Sequence, residues 1–592
     1  MSRRTRPRDG LGRRKACDYC CRKKLRCDGG TPTCSTCNLR HIDCTWTPDV
    51  AAPKTASTSQ TELLNEVRFG DIESRLAALE TQIQAGVQLP LVNALPPPLE
   101  WTWDNDLMID SLPTPTTEST TDLTSRDSLS IAPISRSGTR NYELPPWDEV
   151  YNLVRYFLHG PNEAMPIYDT SSFMRMLHSW RRNPEDRDDA SWALINAVLA
   201  LSAQQQGHSE IARDSLQRAQ SVLNSMVTRD EDLKGIQLLL TLIAIFIGTP
   251  HPQPICFLIA TAVKLAHRLK LHDREARGTV DAELALQMDR LFRITYIYDR
   301  DISLRAVEPY AQDEDDYDKS LLEASITDDG AGHLEVEGVQ IDYLHLRSQL
   351  AKIQGLTYRT TFSVKGRRLT ADQKQLAAEH IDDLVDSWQS EIPLQLRAEQ
   401  LIKKDTSFST ARGYLMSLHL VAYQARFLAH RISARNPDWI HRLTEYSDQF
   451  ANPADSQTHR PTSASITTML LIPRWTTFLR MARTCLQMIR ILDANTVSMI
   501  WSTLCSYQTA LVILIANRLT IWEHKSDDGL HTDAVLIKEA VQHLHELITR
   551  QDSGEPVTVL MNAHQAATEL NRRANIAVQR FKEDTASSKL LF

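Results

Sequence analysis

Six cysteines within residues 17–44 repeat one spacing, C-x2-C-x6-C, at Cys17, Cys20 and Cys27 and again at Cys34, Cys37 and Cys44. Thiols three positions apart can share one helical turn and present both sulfurs to a single zinc ion, which takes four such ligands in a tetrahedron at about 2.3 Å. Each half supplies three thiolates. Two tetrahedra have eight corners, and six sulfurs fill them only when two are shared, so the spacing predicts a cluster of two Zn2+ ions. A disulfide framework is the rival chemistry, but it belongs to oxidising compartments, and the start MSRRTRPRDG lacks the apolar stretch of a secretory signal. Two separate four-cysteine sites need eight cysteines, whereas this stretch holds seven, Cys21 being the seventh.

Charge separates the two halves. Arg22, Lys23, Lys24 and Arg26 stand among the ligands of the first half, and only Arg40 and His41 among those of the second. Residues 1–27 contain eleven Lys or Arg against two Asp, a local net of +9 in a chain whose net charge is −8. A basic patch on an acidic protein marks a surface for phosphates. Asp18 is positioned to cap a short helix running through Lys24, and metal at both ends of that helix would hold its side chains rigid enough for a major groove. The candidate DNA contacts are therefore Arg22, Lys23, Lys24 and Arg26. So short a module has no apolar core, and metal must supply its folding energy.

The stretches ACDYCCRKKLRCD and TPTCSTCNLRHIDC closely resemble the DNA-binding domain of the fungal binuclear zinc cluster transcription factors. That resemblance implies that Cys17 and Cys34 bridge the metals, one zinc held by Cys17, Cys20, Cys27 and Cys34 and the other by Cys34, Cys37, Cys44 and Cys17. It also implies base contacts from Lys23 and Lys24 on a CGG-type half-site, with Pro32 setting the turn between the halves. Cys21 departs from the family, which usually places Arg or Lys directly after the second cysteine, and Arg22 is the residue that could replace that phosphate contact.

The elements that would deliver the cluster flank it. Residues 1–15 read as a basic disordered arm, 16–46 as the cluster and 47–60 as a linker. Within 61–87, Phe69, Ile72, Leu76, Leu79 and Ile83 are spaced 3, 4, 3 and 4, the seam of a coiled coil. A parallel pair would set Arg68 against Glu73 and Arg75 against Glu80 of the second strand, favouring a short, weak homodimer completed on DNA. Residues 88–146 hold nine of the 26 prolines and read as a disordered linker, in which Trp101 to Leu112 interleaves acids with large apolar residues in the manner of an activation segment for a coactivator.

From Trp147 the pattern becomes helical. Val150, Leu153, Val154, Phe157 and Leu158 line one face, Gly160-Pro161 stops the helix, and periodic segments follow near 171–182, 190–205, 209–227, 232–247, 254–270 and 283–305. Glycine, at 20 of 592 residues, is about half as frequent as the usual ~7 per cent, as expected where tight hairpins are few. The expected fold is all-α: a small metal-stabilised cluster, a short coiled coil, a disordered linker and a large helical body over 147–592. LPPWDEVYNLVRYFLH (144–159), CFLIATAVKLAHRLKLH (256–272) and RLFRITYIYDRDISLRAVEP (290–309) resemble the fungal-specific transcription factor domain, a likeness reaching to about residue 440.

Other chemistry in the body fails on spacing. Asp313, Glu314, Asp315, Asp316 and Asp318 do not give the i, i+1, i+4 aspartates of a magnesium-diphosphate site, and read as a solvated acidic turn. His543 and His545 fall on different helical faces. Cys256, Cys485 and Cys505 read as isolated buried thiols. The uncharged stretches 236–263 and 494–517 read as core helices rather than membrane spans. No convergent set of polar groups is legible in the body, which speaks against the rival reading of an enzyme or metabolite-binding protein tethered to DNA by a zinc module. The expected protein is not an enzyme. The two resemblances together imply a nuclear, sequence-specific transcription factor of RNA polymerase II genes controlling a metabolic or secondary-metabolite pathway. Its expected partners are double-stranded DNA, a second copy, a coactivator or corepressor and a small-molecule inducer, with no membrane.

Overall fold

The computed structural model describes residues 17–45 apart from 24 and 31, and residues 142–590 apart from 229–232, 250–254, 324–329, 404–407, 435, 452–470, 494–496, 527–528 and 550–557. The arm, the candidate coiled coil with Phe69, Ile72, Leu76, Leu79 and Ile83, the Trp101–Leu112 segment and Lys24 all lie outside the described residues. The chain divides into two units, one ending at Pro97 and the other running from Pro98 to the end.

In the first unit two five-residue helices, Asp18–Arg22 and Ser35–Leu39, carry one C-x2-C pair each. The second unit is helical almost throughout. Its first helix, Trp147–Leu158, buries Val150, Leu153, Val154, Phe157 and Leu158, the five residues that set its sequence period. Thr170–Arg182, Asp189–Gln205, Ser209–Val227, Lys234–Ile247, Ile255–Arg268 and Ala282–Ala306 follow, each matching a periodic segment of the sequence to within a few residues. Asp169, Asp188 and Asp281 start three of them by accepting the backbone N–H three residues on, which satisfies a donor the helix itself cannot.

Helices buried on most sides form the middle of this body: Asp189–Gln205, Ala282–Ala306, Tyr343–Thr361 and Thr410–Ala429. Val497–Leu519 joins them, burying the run from Ala510 to Ala516 and packing against Trp475–Asp493, Thr410–Ala429 and Thr558–Leu590. One apolar core thus runs continuously from Val150 to Ala577. Ile236, Leu240 and Ile243 of one uncharged stretch and Leu511 and Ile515 of the other belong to this core, and among the described residues no helix is long and apolar enough to cross a membrane.

A two-stranded antiparallel hairpin, His333–Val336 with Val339–Asp342, interrupts the helices where the sequence reading expected no strand. Its turn, Glu337-Gly338, has positive φ at both positions, and that geometry suits the twist of a two-residue hairpin loop. Leu334, Val336 and Ile341 anchor it in the core.

The polar content of the body also departs from expectation. Glu314 is not a solvated member of an acidic turn: it accepts hydrogen bonds from Arg300 at 2.8 Å and from the Tyr317 hydroxyl at 2.9 Å. Arg300, fully buried, also donates to Asp299 and to the Gln312 carbonyl, and its guanidinium lies 4.3 and 3.7 Å from the ring centres of Tyr296 and Tyr310. Asp299 in turn accepts the backbone N–H groups of Ala311 and Gln312. The YDRD run therefore pins the acidic loop onto the Ala282–Ala306 helix, and convergent polar groups do exist in the body. Of the three body cysteines, Cys485 is buried as expected, whereas Cys256 and Cys505 are half-buried. His543 packs on Tyr507, and His545, exposed on another face, lies against His564 with the two rings tilted by 39°.

Candidate metal centre and nucleic-acid interface

The cysteine repeat has an offset of 17 residues, and the backbone repeats with it. Cys17 is the N-cap of the first helix and its sulfur accepts the N–H of Cys20 at 3.5 Å; Cys34 is the N-cap of the second and accepts the N–H of Cys37 at 3.4 Å. Beyond each helix the chain folds back with Leu25 N–H on the Cys20 carbonyl and Ile42 N–H on the Cys37 carbonyl. The expected cap at Asp18 is thereby corrected. A thiolate one residue earlier takes the capping place, and Asp18 is the first helical residue, its N–H held by the Thr45 carbonyl at 3.0 Å. The helix is also shorter than expected, ending at Arg22 with Lys23 as its C-cap.

Two groups of four thiols result, Cys17, Cys20, Cys27, Cys34 and Cys17, Cys34, Cys37, Cys44, with the sulfurs of each group within 4.8 Å of one another. Cys17 and Cys34 belong to both. Sulfur separations of 3.7 Å for Cys17–Cys34, 3.6 Å for Cys17–Cys37 and 3.8 Å for Cys20–Cys34 match the edge, about 3.8 Å, of a tetrahedron with 2.3 Å metal–sulfur bonds. They exceed by far the roughly 2.05 Å of a disulfide. The donor set is entirely soft and converging, and it fits zinc.

Electrostatics distinguishes the two shared sulfurs. The N–H of Cys20 pulls the Cys17 thiol down to about 6 against the opposing effect of burial, and the N–H of Cys37 likewise lowers Cys34. Burial raises Cys20 to about 12 and lifts Cys37 well above its ordinary range. The backbone N–H groups of the helices thus favour the thiolate at each capping cysteine.

Around the sulfurs, Gly29 adopts φ +70° in the loop joining the halves, and Asp28 accepts the backbone N–H of Ser35 at 3.0 Å as well as its hydroxyl. Thr36 donates to the Arg26 carbonyl at 3.0 Å. These clips between the halves escaped the sequence reading; Asp-Gly-Gly before a Ser at a helix start was the available signal. Cys21 is exposed and belongs to neither group of four. Arg22, Lys23 and Arg26 are exposed too, as Arg40 and His41 are on the second half.

Comparison with known proteins agrees with this geometry. Residues 15–51 match the fungal Zn(2)-Cys(6) binuclear cluster domain, a zinc-binding module, and residues 153–398 match the fungal specific transcription factor domain. An ABC-transporter-regulating transcription factor of Aspergillus fumigatus is 27% identical over 457 residues, covering 75% of this chain and 49% of its own length. Its namesake in Aspergillus oryzae is 26% identical with the same coverage. The Fusaridione A cluster transcription factor of Fusarium heterosporum is 24% identical over 326 residues, 52% of this chain and 60% of the relative. The chain spans about half the length of the two Aspergillus relatives. No solved structure matches it. The matched domains and the relatives are those of transcription factors, and this chain resembles the fungal zinc cluster transcription factors in carrying the cysteine cluster domain and, after it, the fungal specific transcription factor domain in one polypeptide.

Proposed function

We propose that the chain binds DNA sequence-specifically and regulates RNA polymerase II genes from the nucleus, reading CGG-type half-sites through a cluster of two zinc ions. The supporting observation is the pair of four-thiol groups that share Cys17 and Cys34 beneath an exposed basic surface. Cys17, Cys20, Cys27, Cys34, Cys37 and Cys44 would hold the metal. Zinc supplies no reaction here; it replaces the apolar core that so small a module cannot bury. Lys23, at the end of the first helix, and Lys24 beside it are the proposed base readers, with Arg22 and Arg26 on phosphates. Guanine offers two acceptors in the major groove, and an ammonium group on a fixed helix can address them.

Residues 61–87 are proposed to join two copies through Phe69, Ile72, Leu76, Leu79 and Ile83, so that the preferred site holds two half-sites. The helical body is read as the regulatory module, the place for a coactivator or corepressor and for a small-molecule inducer. Relatives named for ABC-transporter regulation and for a metabolite cluster support target genes in export or secondary metabolism. Selection of sites by the full-length chain from a random DNA pool, with zinc and with chelator, tests the reading. The expected result is a CGG-containing consensus in two copies that chelator abolishes; enrichment of no sequence overturns it.

A further inference from the structure

Inside the helical body lies a cavity of about 150 Å³ between the matched regulatory domain and the helices beyond it. Phe157, Leu201 and Ile247 from the matched domain and Val421 and Met499 from the helices beyond it are among its apolar lining. A dry apolar cavity of about this volume accommodates a single ring. This one is not purely apolar. Gln204 and Ser417 belong to its lining, and the Gln204 side-chain amide oxygen and the Ser417 hydroxyl are both buried without a hydrogen-bond partner among the described residues. Buried polar atoms in that condition mark a place where a polar partner belongs.

Charge in the wall decides the kind of partner. Asp301 and Arg347 line the space and pair at 3.1 Å, and Arg305, outside the lining, reaches the same carboxylate at 2.8 Å, so the trio as a whole carries one net positive charge. Gln354 holds the arrangement by donating to Asp301 and accepting from Arg347. Three phenols, Tyr298, Tyr343 and Tyr414, also line the space, and burial raises all three, keeping them protonated as donors. A cavity with apolar sides, phenolic donors and a surplus guanidinium suits a molecule with an apolar body and one carboxylate.

We propose that this cavity binds a small monocarboxylic acid with a single ring or a branched apolar body. Its role as an effector rests on reading the body as a regulatory module; the binding itself does not. Eight helices contribute to the wall, from Trp147–Leu158 to Val497–Leu519, so occupancy would tie the matched domain to the segment that follows it.

The test uses the full-length zinc-loaded chain and 4-fluorobenzoate, followed by fluorine NMR line broadening, with 4-fluorobenzyl alcohol as the uncharged counterpart. Saturable broadening by the carboxylate, at least tenfold weaker for the alcohol, is expected. Ala244→Leu and Ser417→Leu, which fill the space without breaking a hydrogen bond, should abolish the signal while thermal unfolding stays within a few degrees of the parent. No saturable signal at millimolar probe, equal signals from the two probes, or a signal surviving in both folded variants overturns the proposal. DNA binding by the same preparation separates the two readings: carboxylate binding without a DNA preference sustains the cavity and removes the regulator, and the converse removes the cavity alone.

Discussion

Cys17 and Cys34 lie 3.7 Å apart, sulfur to sulfur, and each caps the helix that carries the next ligand of its half. Because they belong to both four-thiol groups, their loss should be felt by both metals, while Cys27 and Cys44 belong to one group each. Native mass spectrometry of the full chain should count two zinc ions. Cys21→Ser should keep both, Cys27→Ser or Cys44→Ser should favour loss of one, and Cys17→Ser or Cys34→Ser should lose both. One zinc per unmodified chain would refute the shared-ligand arrangement.

Base contacts and phosphate contacts make different demands on the same basic surface. Lys23→Ala should flatten the preference between the best site and its one-base variants by about 1–3 kcal/mol. Arg3→Ala, Arg4→Ala and Arg13→Ala should weaken all duplexes alike and shallow the salt dependence by about 0.9 log units per lost contact. Competition between matched and mismatched duplexes at two salt concentrations, with zinc content checked, reads both. A Lys23→Ala protein that binds more weakly yet keeps its full specificity ratio removes Lys23 as a reader.

The cluster and most helix limits were legible because their signals are local. Cysteine spacing encodes ligand geometry directly, and the 3.6-residue period of Val150, Leu153, Val154, Phe157 and Leu158 encodes a buried face. What escaped depends on distance along the chain. Glu314 looks like part of an acidic run until Arg300 arrives from the preceding helix, and the pairing of Asp382 with Arg474 spans 92 residues. The cap on the first helix was misplaced for another reason. Capping preferences rank Asp highly, but they omit a cysteine whose sulfur is already fixed above the helix by the cluster.

Asp382 offers a pH test of the body. Its carboxylate, 5% exposed, faces His430 at 3.1 Å, Arg474 at 3.2 Å and Arg426 at 3.5 Å, with Asp386 on the far side of Arg426. Burial works to raise Asp382, but the His430 hydrogen bond and the neighbouring Arg426 and Arg474 guanidiniums outweigh it and hold the group below the usual carboxylate range. A lowered folded-state value means stability that is present above the unfolded value of about 4 and is lost as pH falls through the folded one. Asp382→Ala should lose about 3–5 kcal/mol at pH 7, as expected when one partner of a buried pair is removed. Thermal melts from pH 7 down to 3 should then show parent and variant converging in acid. A gap that stays constant across that range would show that packing, not charge, accounts for the loss.

Gly355 sets helix propensity against packing. It sits within Tyr343–Thr361, where alanine would ordinarily gain up to about 1 kcal/mol. A Cβ there would come within 2.8 Å of Arg300 Cδ and 2.9 Å of Arg300 Nε. An unrestrained arginine could step aside, but this one is held by Asp299, the Gln312 carbonyl and Glu314, and lies over the rings of Tyr296 and Tyr310. Overpacking at such a site costs about 1–3 kcal/mol, so it should win over propensity. Gly355→Ala should therefore lower the melting temperature of the body. Arg300→Ala should cost more still by leaving Asp299 buried without its cation, and in that background Gly355→Ala should become neutral or stabilising. If the two losses simply add in the double variant, the glycine is not there to make room for Arg300.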